Sequence, residues 1–256
     1  MKSKSLEINQ IVEPVTTSYV RKTIAESRVR ILKLLSKNNN RNYFSANTKS
    51  SEIFLHFHKG SKVNLVILYV DLVDSTHMST ILELADLVMI LQIFMQEMSI
   101  IAVKNHGHIL KYVGDAMIVY FPVTENDFSS ATNNAILCAS NMLLVLDQGI
   151  NSVFKELGYP KLGIKIGIDS GENAIVEYIF SRKKSHMDIV GYPMNMAAKN
   201  TSLAKPNHIL IGTITYSYLG PERKDYLEKF ALENGGRIDY QNTYGVFRCP
   251  LDSFIQ

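Results

Sequence analysis

The sequence predicts an α+β sandwich: a mixed, mainly antiparallel sheet with covering helices. Short apolar runs rich in β-branched residues alternate with longer stretches of helical period. Some neighbouring runs are joined by turns too short for a crossover, so hairpins interrupt that alternation. No internal repeat is visible. With 256 residues, 46% of them hydrophobic, the chain has room for one large domain and an appendage.

The appendage comes first. Residues 1–17 lack periodicity, and Val20, Ile24, Val29, Ile31, Leu32, Leu34 and Leu35 then mark one amphipathic helix over 17–37. NNNRN and SANTKSS read as linker, which divides the chain into a basic N-terminal arm (1–60) and a main domain (61–256). Ten basic residues oppose three acidic ones in the first fifty, although the whole chain carries only +3. Such an arm could meet nucleic acid, an anionic membrane, a regulator or the body itself, and a solvated helix face is the plainer reading. Its helix could pack on the main domain or on a second copy.

The main domain opens with VNLVILYVDLVDST, a buried strand that ends at Asp71 and turns polar at Asp74, Ser75 and Thr76. A long helix over 78–105 leads to HILKYVGDAMIVYF, two short strands about Gly114 and Asp115. After Pro122, TENDFSS supplies capping residues for a helix over 129–147. KLGIKIGIDSGENAIVEYIF alternates as two strands around a turn at 170–173. A basic loop, the short apolar piece MDIVG, and YPMNMAAKNTSLA with Pro193 in a first helical turn come next. HILIG reads as a strand, TITYSYL as a short helix, and 237–250 as a final hairpin.

Cys138 and Cys249 match no ligand spacing, which suits a reducing, cytoplasmic setting. No signal-like apolar core follows Met1. The most apolar window, 84–103, carries Asp86, Gln92, Gln96 and Glu97 at near-helical spacing, as a core helix does. His77, His106, His108 and His186 show no ligand spacing either.

The chemistry centres on Asp71, the lone carboxylate at the end of an apolar strand. Burying it unpaired costs several kcal/mol, so a basic group or a cation must answer it. Lys111, close in sequence to Asp115, could form a plain salt bridge there. Alternatively, Asp71, Asp115 and the Leu72 carbonyl form a hard-oxygen set for Mg²⁺ or Mn²⁺, with positions left for phosphate oxygens. The turn at Val73, Asp74, Ser75 and Thr76 offers backbone N–H groups to a polyphosphate.

The ordered set VDLVDST, KYVGDAMIVYF and DIVGYPMNMAAK resembles the class III nucleotidyl cyclases, from Val63 to the C-terminus. The resemblance implies a ferredoxin-like βαββαβ-based sandwich and a homodimer with sites shared between subunits. It implies two Mg²⁺ or Mn²⁺ ions per active site, held by Asp71 and Asp115. Lys111 and Asp188 resemble the pair that reads the purine edge, donating to a ring nitrogen and accepting from an amine, which favours ATP over GTP. Asn195 matches the asparagine that orients the ribose. Lys199 stands where an arginine usually stabilises the transition state, and a lysine lacks the arginine's bidentate fork. A second family lysine, directed at the triphosphate, has no clear match near the C-terminal hairpin, where Arg237 or Arg248 could substitute. The expectation is an adenylate cyclase making 3′,5′-cyclic AMP and pyrophosphate; the alternative is a weak or inactive nucleotide-binding regulator. No GG[DE]EF run is present, against a diguanylate cyclase.

Overall fold

A computed structural model describes residues 17–36, 49–181, 184–221, 228–230 and 246–249. Eight strands among them form one sheet in the order β2-β3-β1-β4-β6-β8-β7, with β5 paired to β4. In chain order these are β1 (Lys62–Leu72), β2 (His108–Val113), β3 (Ala116–Pro122), β4 (Ile164–Ser181), β5 (Lys184–Val190), β6 (His208–Ile211), β7 (Glu228–Phe230) and β8 (Val246–Cys249). β6 runs parallel to β4, and the other pairings are antiparallel. The mixed, mainly antiparallel sheet is the one the sequence predicts.

β1 is central and buried on both faces, hence its nearly unbroken apolar run. Val66, Leu68, Val70 and Leu72 face a core built with α4 (Leu84–Lys104), α5 (Phe128–Leu144) and α6 (Asn151–Leu157). Leu65 and Ile67 face a second cluster with Ile118, Tyr120, Met194 and Ala197. Alternation places Tyr69 and Asp71 on that second face. It is covered by α2 (Lys49–Phe57) and α7 (Tyr192–Leu203), which leave the end of β1 open.

α1 (Thr17–Ser36) packs on the first face. Ile31 is fully buried in the main core, Arg28 bonds Ser152 and Glu156, and Arg30 forks onto Glu97 at 2.9 and 2.6 Å. Glu97 is 0% exposed, so this pair neutralises a carboxylate in the core. The structure thus chooses the body as the helix's docking surface and commits Arg28 and Arg30 to it.

Four elements differ from expectation. The helix over 78–105 is two, α3 (Ser75–Ile81) and α4, broken where Leu82 turns extended. Ser79 and Thr80 hydroxyls bond back to the Thr76 and His77 carbonyls, which competes with helix propagation. The expected turn at 170–173 is absent: β4 is one strand of 18 residues. Gly171, at φ 148°, bends the strand without reversing it, so its first half pairs with β1 and its second with β5. α5 continues past Asp147 through a π-helical turn (Val145–Ile150) into α6. Helix α2 lies in a stretch read as linker; Ser51 Oγ, 2.9 Å from the Tyr120 hydroxyl, and buried Leu55 hold it on the sheet. Of the expected hairpin over 237–250, 237–245 and Pro250 lie outside the described residues; β8 pairs with β6 and β7.

Candidate active site

Asp71 closes β1 and Asp115 sits in the β2–β3 turn, and the register pairs Asp71 with Ala116, the residue after Asp115. Gly114, at φ 62°, takes the first central position of that tight turn, as a two-residue hairpin requires. The topology therefore brings together two carboxylates 44 positions apart in sequence. Burial and then the Asp115 charge hold the Asp71 carboxyl above its ordinary range, while the Leu72 N–H and Lys165 pull the other way. Two carboxylates that repel each other at an open strand end suit a divalent cation. No third His, Cys, Asp or Glu joins them in a ligand cluster among the described residues, so the rest of a cation's shell would come from backbone and ligand oxygens.

Lys165 is the residue that sequence reasoning missed. It stands directly opposite Asp71 on β4, a cation at the mouth of the carboxylate site. Its signal was present in LGIKIGI (162–168) as the lone charge in an apolar run, but only the register says which residue it faces. Arg237 lies outside the described residues, and Arg248 is on β8 opposite Leu210.

Beyond Asp71, Val73 N–H donates to the Gly163 carbonyl at 2.8 Å, and Asp74 adopts a left-handed conformation before α3. The first helical bond of α3 is Met78 N–H to the Asp74 carbonyl at 3.0 Å, so the N–H groups of Ser75 and Thr76 belong to the unsatisfied first turn.

Lys111 does not pair with Asp115. Its Nζ donates to Asp188 Oδ2 at 2.5 Å across 77 positions of sequence, joining β2 to β5. The Asp188 Oδ1 also accepts from the Ile189 N–H at 2.9 Å, which fixes the carboxylate. Side-chain exposures of 33% and 15% leave the pair accessible from the open side. Asn195 and Lys199 are exposed on α7, one turn apart, while Met194, Met196, Ala197 and Asn200 face the sheet. α7 lies on β4 at Gly167, where any side chain would collide with the Ala197 carbonyl and the Thr201 N–H.

Residues 57–245 match the family model of the adenylate and guanylate cyclase catalytic domain. The chain belongs to that family. Two solved structures share the cyclase fold: an adenylyl cyclase from Pseudomonas aeruginosa (24% identity, TM-score 0.57, 73% of this chain and 94% of that one) and a guanylyl cyclase (23%, TM-score 0.61, 74% and 92%). Curated relatives named cytidylate cyclase occur in Staphylococcus aureus (29% identical over 153 residues) and Escherichia coli (26% over 135 residues). The matches cover 58% and 50% of this chain but 36% and 29% of those proteins, so it spans about a third of their length. In this cyclase domain the two aspartates, the Lys111–Asp188 pair and the α7 face all lie on matched residues.

Proposed function

We propose that the chain cyclises a nucleoside triphosphate, ATP on the sequence reading, to its 3′,5′-cyclic monophosphate and pyrophosphate. The observation that carries this is the Lys111–Asp188 pair, built by the fold on the sheet that ends in Asp71 and Asp115. An ammonium beside a carboxylate complements a base edge with a ring-nitrogen acceptor next to an amine. Adenine has that edge; guanine and uracil do not. Cytosine has it too, with N3 beside the 4-amine. The names of the bacterial relatives therefore favour CTP as a second reading at the same site.

In the reaction, the ribose 3′-oxygen attacks the α-phosphorus in line. One O–P bond forms, the bond to pyrophosphate breaks, and the hydroxyl proton leaves to solvent. Asp71, Asp115 and the Leu72 carbonyl would hold two Mg²⁺ or Mn²⁺ ions, which supply Lewis-acid stabilisation of phosphate charge and of the attacking oxygen. With the Val73 N–H bonded to the Gly163 carbonyl, the N–H groups of Ser75 and Thr76 would meet the polyphosphate, and Lys165 adds a positive charge beside it. Asn195 orients the ribose, and Lys199 places its ammonium near the growing negative charge, acting as a point charge without a guanidinium's fork. Asp71 and Asp115 of one subunit would work with Asn195 and Lys199 of its partner, since the α7 pair is exposed away from the sheet. A cytoplasmic setting belongs to this reading, supported by the buried free thiol of Cys138.

The test is product analysis with ATP, CTP, GTP and UTP, each with Mg²⁺ and Mn²⁺, beside an Asp71→Ala control. Cyclic AMP or cyclic CMP that disappears in the control supports the reading. Cyclic GMP or cyclic UMP as the main product overturns the base assignment. Tight, metal-dependent binding without any cyclic product would make this a nucleotide-binding regulator, the reading that Lys199 otherwise favours.

A further inference from the structure

Tyr69 has no part in the chemistry above, yet it stands at the centre of the nucleoside wall. The register sets Lys111, Ile118, Tyr69 and Gly167 in one row across β2, β3, β1 and β4. Tyr69 lies on the face of Asp71, half-buried against the second core cluster. The Asp188 carboxylate is close enough for its charge to act on the phenol. From the other side, the Tyr69 hydroxyl donates to Met194 Sδ at 3.2 Å, and Met194 immediately precedes Asn195 on α7. The hydroxyl thus sits between the pair that reads the base edge and the helix that carries the ribose-orienting asparagine.

A thioether is a weak acceptor, so the resting bond leaves this hydroxyl ready to exchange it for a carbonyl oxygen. Between the amine-bearing edge of a base and its glycosidic nitrogen, cytosine presents the 2-oxo group, a strong acceptor. Adenine presents a C–H at the neighbouring ring position. A site that donates a hydrogen bond there favours the base able to accept it.

We propose that the Tyr69 hydroxyl is a third base-reading group, donating to the pyrimidine 2-oxo oxygen, and that it selects CTP over ATP. This rests on the amine-edge reading of Lys111 and Asp188, because guanine would place its 2-amine before the phenol, and uracil has the 2-oxo oxygen but lacks the amine edge that the pair reads. Lys111 and Asp188 admit two bases, and Tyr69 chooses between them.

The experiment compares kcat/KM for the four nucleoside triphosphates in the chain and in Tyr69→Phe, which keeps the ring and its packing. CTP should be the best substrate. Tyr69→Phe should lower its kcat/KM by about 3- to 10-fold, the range for one neutral hydrogen bond, with ATP changed less than about 2-fold. Calorimetric binding of 3′-deoxy-CTP and 3′-deoxy-ATP, neither of which can cyclise, gives the same ratio independently of turnover. An equal loss for both nucleotides, or an unchanged CTP-to-ATP ratio, overturns the role of Tyr69 and leaves the amine-edge reading standing. ATP as the preferred substrate of the unaltered chain does the same. A preference for GTP or UTP removes both.

Discussion

Two of the ion pairs that join distant parts of this chain are built for opposite ends. Arg30 and Glu97 meet on the closed face, where α1 covers α4 and the carboxylate is 0% exposed. Lys111 and Asp188 meet on the open face at 2.5 Å, with the lysine one-third exposed. The first pair is sealed by two hydrogen bonds from one guanidinium, and the planar fork suits a site that no ligand enters. The second uses an ammonium and a fixed carboxylate, which under the proposed function would exchange partners with a base edge. Burial, more than distance, separates the sealed pair from the accessible one.

The largest expected effect breaks the sealed pair. Arg30→Ala would leave Glu97 charged and unpaired in the core, at a cost of about 3–5 kcal/mol in urea unfolding. The double change Arg30→Met with Glu97→Leu should recover most of that, because an apolar pair of similar volume avoids the desolvation cost. Turnover per folded molecule should stay the same in the double variant.

Next comes the carboxylate site on the open face, where Lys165 stands opposite Asp71. Asp71→Ala or Asp115→Ala should lower cyclisation by at least about 10²–10³-fold, the range for losing one preorganised electrostatic group. Circular dichroism and melting should be almost unchanged. Loss of fold in either variant would show that these carboxylates serve stability, as Glu97 does.

Lys111→Met should separate the two pairs most sharply. This ion pair is only partly buried and methionine keeps the lysine's apolar stem, so unfolding should shift by no more than about 1 kcal/mol. Discrimination between amine-bearing and oxo-bearing bases should drop by about tenfold or more, read as a ratio of kcat/KM values across nucleotides.

The smallest effect is in pH dependence. Burial and the Asp115 charge raise the Asp71 carboxyl above the ordinary 3.8, so the folded protein takes up that proton before the unfolded chain does. Without metal, this group's contribution to stability is full below the unfolded value and is lost as pH rises through the raised folded value. Asp71→Asn should therefore be more stable than the unaltered chain at neutral pH in chelator. That advantage should shrink as the pH is lowered toward 4, measured by urea titrations at each pH. An advantage that does not change with pH would mean that Asp71 is not held in its raised state by burial and Asp115.

Much of the fold was legible. The run from Val63 to Leu72 announces a strand buried on both sides, and Gly114–Asp115 between short apolar runs announces a hairpin. Together they place two carboxylates at one sheet end. The partner of Lys111 was not legible from spacing, which sets it four positions from Asp115; it pairs with Asp188 on another strand, the residue that the family resemblance set beside it. Lys165 escaped notice for a related reason, since its position opposite Asp71 follows from the β1–β4 register.

The sequence by itself determined the α+β class, the order of most elements, the family and the identity of the acidic pair. Each of these is written in local periodicity, turn residues or motif spacing, which act over a few residues at a time. Only the tertiary structure decided that α1 belongs to the body, that β4 bends at Gly171 instead of turning back, that Lys165 faces Asp71, and that the Tyr69 hydroxyl meets Met194. Those outcomes depend on register, burial and packing across strands, where the deciding neighbour lies tens of residues away and the competing local pattern is equally well formed.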